Sequence, residues 1–229
     1  MKKRISKYLS YLRYFFFIGK NWNYRLAAFT IYHEIAGEKK YGVTTTEIDR
    51  LKRLETKGPH RKNASIYQGS NYFLLQKAFT YLQNELPGGG LVDFGCGKGR
   101  VLAVAAYFKS PRITGIDFAA ALCAEAKINI EAIRHWYPGT QFNIICDDAV
   151  NYDIRPDDKF FFFFNPFDEQ LVLQVVKNIT RSLKDFPREM IVIYINPLHK
   201  EIFQSAGFIE EYYLRKMTYL EMSILSITA

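Results

Sequence analysis

The chain has 229 residues, 48% of them hydrophobic and 24% charged, which suits one large α/β domain with an appendage and excludes a chain too small or too polar to bury a core. Its formal net charge of +8 is uneven: residues 1–62 carry 15 Lys and Arg against 5 Asp and Glu, and the rest is slightly acidic. A basic segment of this kind attracts phosphates, anionic lipid headgroups or acidic protein faces.

From Lys2 to about Ala36 the sequence predicts one or two helices, broken near Gly19 to Asn23 and ended by Gly37 to Lys40. The opening is not expected to act as a signal peptide, because Lys7 and Arg13 interrupt the apolar run and no small-residue cleavage site follows. The run is also shorter than the ~20 apolar residues that span a bilayer. Its aromatic and basic faces suit either packing on the protein's own body, the favoured reading, or peripheral contact of residues 1–36 with a membrane or other anionic surface. Residues 41–63 read as a polar connector with a short helix around Glu47 to Leu54. Ser70 or Asn71 caps a helix running to about Glu85, which Pro87 and Gly88 to Gly90 stop.

Strand and helix then alternate. Strands are predicted at Leu91 to Phe94, Ile113 to Asp117, Phe142 to Cys146, Phe160 to Phe164 and Met190 to Ile195, mostly as short apolar runs of the kind expected of parallel strands covered on both faces. Helices fall at Arg100 to Phe108, Ala119 to Trp136, Glu169 to Lys184 and His199 to Ala206. Two last strands, near Ile209 to Arg215 and Thr218 to Ile227, leave no room for a helix and must form a hairpin. The expected fold is α/β: a doubly wound, mostly parallel sheet with an antiparallel C-terminal hairpin and a helical N-terminal extension. The extension and connector are assigned to residues 1–62 and the sheet domain to 63–229. Asn196-Pro197 after the fifth strand reads as helix initiation. Cys96, Cys123 and Cys146 are odd in number and far apart, which fits reduced thiols in a cytoplasmic protein better than a disulfide framework or a zinc site, and no metal is expected.

The turn between the first strand and its helix carries Asp93, Gly95, Cys96, Gly97 and Gly99. Glycines there let the backbone fold tightly against a ligand, and the helix start offers free N–H groups. A dinucleotide pyrophosphate would want G-x-G-x-x-G, whereas this spacing is G-x-G-x-G with an acid two residues earlier, which repels a diphosphate and favours a cation. S-adenosyl-L-methionine has a sulfonium and an amino group and no phosphate. Asp117 ends the second strand about twenty residues later, where a carboxylate accepts ribose hydroxyls. Asp148-Ala149 ends the third, where an acidic side chain beside backbone meets an adenine amino group.

With these in register, Asp93 to Gly99 resembles motif I of class I methyltransferases, Asp117 their ribose-binding acid and Asp148-Ala149 their adenine contact. The resemblance covers about Leu91 to Thr228. It implies a Rossmann-like seven-strand sheet, S-adenosylmethionine as cofactor, Gly95 and Gly97 near its methionine part, and Phe118 flanking the adenine.

After the fourth strand, Asn165-Pro166-Phe167 resembles motif IV of the amino-methylating members, in which oxygen acceptors aim the lone pair of the target nitrogen at the methyl group and an aromatic stacks on a planar substrate. Here the second proline is missing and the aromatic comes one position early, which counts against a nucleic-acid base and leaves nitrogen methylation in general. Capping of the next helix by Asn165 is compatible with that role. Tyr67 and Gln68, just before the core helix, are expected to close over the cofactor and form part of the acceptor pocket. The leading reading is N-methylation of an amine on a protein or small metabolite. The alternatives are RNA or DNA methylation using the basic N-terminal segment, and a non-catalytic S-adenosylmethionine-binding module.

Overall fold

The computed structural model describes residues 2–46, 69–164 and 169–229, with side chains from residue 7 onward. Two helices, α1 (Lys2–Asn21) and α2 (Tyr24–Tyr41), form an N-terminal hairpin, joined by Trp22 and Asn23. Asn23 caps α2 by accepting a bond from the Leu26 N–H. The helix does not stop at Gly37 as the sequence suggested. Gly37 lies against the Tyr72 ring, where a side chain would collide, so its role is close packing. The stop comes at Gly42, which takes the left-handed φ of 71° and returns its N–H to the Glu38 carbonyl.

Beyond α3 (Tyr72–Tyr81), capped by Asn71, the chain alternates β1 (Gly90–Phe94), α4 (Arg100–Tyr107), β2 (Arg112–Asp117), α5 (Ala120–Ile133), β3 (Gln141–Cys146), β4 (Asp158–Phe164), α6 (Glu169–Asp185), β5 (Met190–Ile195), α7 (Lys200–Ser205), β6 (Ile209–Lys216) and β7 (Leu220–Ile227). The seven strands are ordered β3-β2-β1-β4-β5-β7-β6. β1 to β5 pair in parallel, and β7 enters antiparallel between β5 and β6. This is the doubly wound sheet with a C-terminal hairpin that the strand spacing predicts.

The five consecutive phenylalanines of β4 show why its pattern is continuous. Phe160 and Phe162 enter the core under α3 and α4, whereas Phe161 and Phe163 enter the core under α6 and α7. β3 departs from that expectation, since as an edge strand it is exposed or half-buried along its length. All three cysteines are free thiols. No helix among the described residues is long and apolar enough to cross a membrane.

Candidate functional site

β1 and β2 end side by side at the middle of the sheet, and the turn leaving β1 is built from glycine because its backbone requires it. Gly95, Gly97 and Gly99 have φ of 79°, 51° and 80°, a region that side chains with a Cβ resist. The Gly95 and Cys96 N–H groups both bond the Ile116 carbonyl, at 2.8 and 2.9 Å, which pins the turn to β2. Gly115 on β2 makes room for it, since a Cβ there would lie 2.9 Å from the Cys96 side chain.

Two carboxylates serve this turn. Asp117 takes the Gly97 N–H on one oxygen and the Ala119 N–H on the other, each at 2.9 Å. Burial pushes its carboxyl up to about 6, against the pull of those two N–H groups. Asp93 is buried opposite Gly115 and Phe162 in the sheet. One of its oxygens, Oδ2, has no hydrogen-bond partner among the described residues. Burial, reinforced by the Asp117 charge, drives the Asp93 carboxyl well above its ordinary value. A buried acceptor left bare is costly unless a donor or cation arrives, so Asp93 is suited to a cationic ligand. It lines a small cavity with Gly69, Gly95, Cys96, Phe162 and Phe164.

The remaining sequence-predicted residues fall around this centre or outside the described residues. Phe118 follows Asp117 and is half-buried against Leu122. Asp148 caps the short turn Ala149–Asn151 by accepting the Val150 N–H, while Asp147 accepts the Asp148 N–H and the Asn151 amide. Tyr67, Gln68, Asn165, Pro166 and Phe167 lie outside the described residues. Asn196 does not initiate α7. It takes a left-handed φ of 51°, its N–H bonds the Glu221 carbonyl, and the helix starts only at Lys200.

Sequence reasoning missed Arg100, the first residue of α4. A cation at a helix start is opposed by the macrodipole, and that local oddity was the available signal. The guanidinium grips Glu34 of α2 through two bonds, Nη1 to Oε1 at 3.0 Å and Nη2 to Oε2 at 2.6 Å. It also donates to the Ser70 carbonyl and the Thr45 hydroxyl, and it stacks 4.2 Å from the Tyr72 ring centre. Burial raises the Glu34 carboxyl above its ordinary value, and Arg100 and the Thr46 hydroxyl act against that. One turn away Glu38 accepts the Thr45 and Thr46 N–H groups, the Tyr11 hydroxyl and Lys7. Burial works to raise Glu38, but Lys7, Tyr11 and Thr45 outweigh it and hold the carboxyl below its ordinary value. The N-terminal hairpin is thereby tied to the helix that leaves the glycine turn.

A larger cavity of about 410 Å³ opens where β4 and β5 end. Phe164, Ile195 and Asn196 form its floor, Leu74 and Gly69 one side, and Tyr14, Ile18, Trp22 and Leu26 of the hairpin another. Gly69 and Phe164 also line the cavity at Asp93, so the two spaces share a wall. Glu221 brings a carboxylate to the larger one.

Sheet order, glycine turn and strand-end carboxylates together define the fold of class I, Rossmann-like methyltransferases. Solved structures bear this out: an S-adenosylmethionine-dependent methyltransferase of Aquifex aeolicus superposes with a TM-score of 0.52 at 13% identity, over 67% of this chain and 89% of that one. A protein of Escherichia coli assigned as a methyltransferase, yhhF, gives 0.54 at 13% identity over 71% and 90%. One of Clostridium thermocellum assigned as an rRNA methylase gives 0.53 at 15% over 71% and 97%. At these identities the likeness is one of fold. No family model and no curated protein sequence matches the chain.

Proposed function

We propose that the chain is an S-adenosylmethionine-dependent methyltransferase acting on an amine of a small, largely apolar molecule. The observation that carries the cofactor assignment is the bare, buried Oδ2 of Asp93 beside a turn of three left-handed glycines. That pairing suits a cationic ligand approached closely by backbone, and it does not suit a phosphate. When bound, S-adenosylmethionine supplies an electrophilic methyl group on a sulfonium. Asp93 answers the positive charge of its methionine part. Each oxygen of Asp117 keeps a lone pair beyond its N–H bond and accepts from a ribose hydroxyl. Phe118 flanks the adenine, and the Asp148-Ala149 segment meets its edge.

On the acceptor side the cavity at the ends of β4 and β5 has the volume of a small-molecule site and mostly apolar walls. Glu221 and Asn196 give an amine a hydrogen-bonding end. Asn165, Pro166 and Phe167 follow β4 directly in sequence and are assigned the orienting of the nitrogen, and Tyr67 and Gln68, which precede Gly69 in sequence, are assigned contact with cofactor and acceptor. A neutral amine needs little acid or base chemistry, because in-line positioning alone can contribute several kcal/mol.

The test is titration calorimetry with S-adenosylmethionine, followed by transfer of labelled methyl into the protein, nucleic-acid, lipid and small-molecule fractions of a cell lysate. Asp117→Ala should weaken cofactor binding at least about tenfold and abolish labelling. Undetectable binding to the wild-type chain would sink the cofactor reading. Label confined to nucleic acid would replace the acceptor reading.

A further inference from the structure

We propose that the outward face of the α1–α2 hairpin is a docking surface for an anionic lipid bilayer. On α1, Tyr8, Leu9, Leu12 and Phe16 all face solvent, with Tyr8 63% and Leu12 52% exposed. At 3.6 residues per turn these four fall within a sector roughly 100° wide, so they form one ridge. Exposed Arg13 and Lys20 border that sector. α2 adds Tyr32, 68% exposed, and Ile35, among exposed Arg25, Lys39 and Lys40. Residues 1–41 contain two acids, Glu34 and Glu38, and both are buried and paired inward. The described charge facing outward from the hairpin is therefore of one sign.

Aliphatic side chains, aromatic rings and cations interleaved on one helical surface match the boundary between headgroups and acyl chains. There the apolar groups leave water while Lys and Arg meet anionic headgroups. A second copy of the chain would bring cations against cations. Nucleic acid would satisfy the cations and stack on the tyrosines, but it would leave Leu9, Leu12 and Ile35 without an apolar partner. The hairpin also connects this surface to the acceptor cavity, because Trp22 is 43% exposed and lines that cavity. An acceptor carried in the membrane would reach the cavity from this side.

Docking is independent of catalysis and can be tested apart from it. The full chain is sedimented with vesicles of phosphatidylcholine alone and of phosphatidylcholine mixed with phosphatidylglycerol. We expect binding to the mixed vesicles that weakens with salt, falls about fivefold for each of Arg13→Gln and Lys20→Gln, and falls more than about tenfold in the double variant Leu12→Asp/Phe16→Asp. The thermal transitions of the single variants should stay at the wild-type temperature and that of the double variant within a few degrees of it, so that lost binding is not lost folding. Equal binding to both vesicle types, or unchanged binding in the double variant, would overturn the proposal. So would tighter binding to a single-stranded oligonucleotide that the aspartate variant leaves intact, or self-association that the variant abolishes.

Discussion

Asp117 sits where burial and hydrogen bonding compete, and the outcome sets a pH dependence. Its carboxyl is pushed up to about 6 from an ordinary 3.8, so in the free protein its stabilising contribution is full below 3.8 and is lost as the pH rises through about 6. Hydroxyls that donate to the carboxylate favour the ionised form. Affinity for S-adenosylmethionine should therefore fall as the pH drops through about 6, on top of whatever the raised Asp93 carboxyl adds at higher pH, and Asp117→Asn should remove the part of the fall that sets in near 6. Calorimetry across that range checks it, and a level profile in the wild type would refute the assigned role. Arg100 and Glu34 give a second residue-scale prediction. Truncating Arg100 to Met strands a fully buried carboxylate, which costs about 3–5 kcal/mol. Pairing it with Glu34→Gln should recover much of that in denaturant unfolding, as coupled neighbours do. The glycines and Asp117 were legible because their chemistry is written in local spacing. The Arg100–Glu34 pair joins residues 66 positions apart, and nothing in the neighbourhood of either names the other.

At the scale of elements, the strands could be read wherever burial imposed a pattern. β5 matches its expected limits, Met190–Ile195, because every one of its residues is buried, and the phenylalanines of β4 leave no doubt about a strand covered twice. β3 has an apolar run too, but whether a strand is central or at an edge depends on sheet order, which no single segment encodes. Gly37 misled for a related reason. A glycine inside a helix reads as a stop, and only the packing of Tyr72 across it explains why it is there. Alanine at an exposed helical glycine normally stabilises by up to about 1 kcal/mol. Gly37→Ala should instead destabilise by about 1–3 kcal/mol, as overpacking does, and Gly37→Ala/Tyr72→Leu should relieve part of it. Thermal unfolding of the two variants decides the matter.

For the whole molecule, a fold shared at 13–15% identity with the solved structures shows how little sequence the architecture needs. The seven-strand order rests on which segments are apolar and how they connect, and many side chains satisfy that. The charge imbalance was visible in the sequence, but its disposition was not. Whether the basic N-terminal residues faced inward or outward depended on where Glu34 and Glu38 found partners.

The knot of bonds around Arg100 has a dynamic consequence. Helix α4, the Thr45–Thr46 backbone and α2 share one set of buried bonds, so the amides of residues 30–46 and 95–104 should open to solvent exchange together, as one cooperative unit. A ligand that quiets the glycine turn would then slow deuterium uptake in a helix that does not contribute to the turn. Hydrogen exchange with and without S-adenosylmethionine should show matched protection in α2 and α4 of the wild type. In Arg100→Met the protection of α2 should vanish while that of the turn persists.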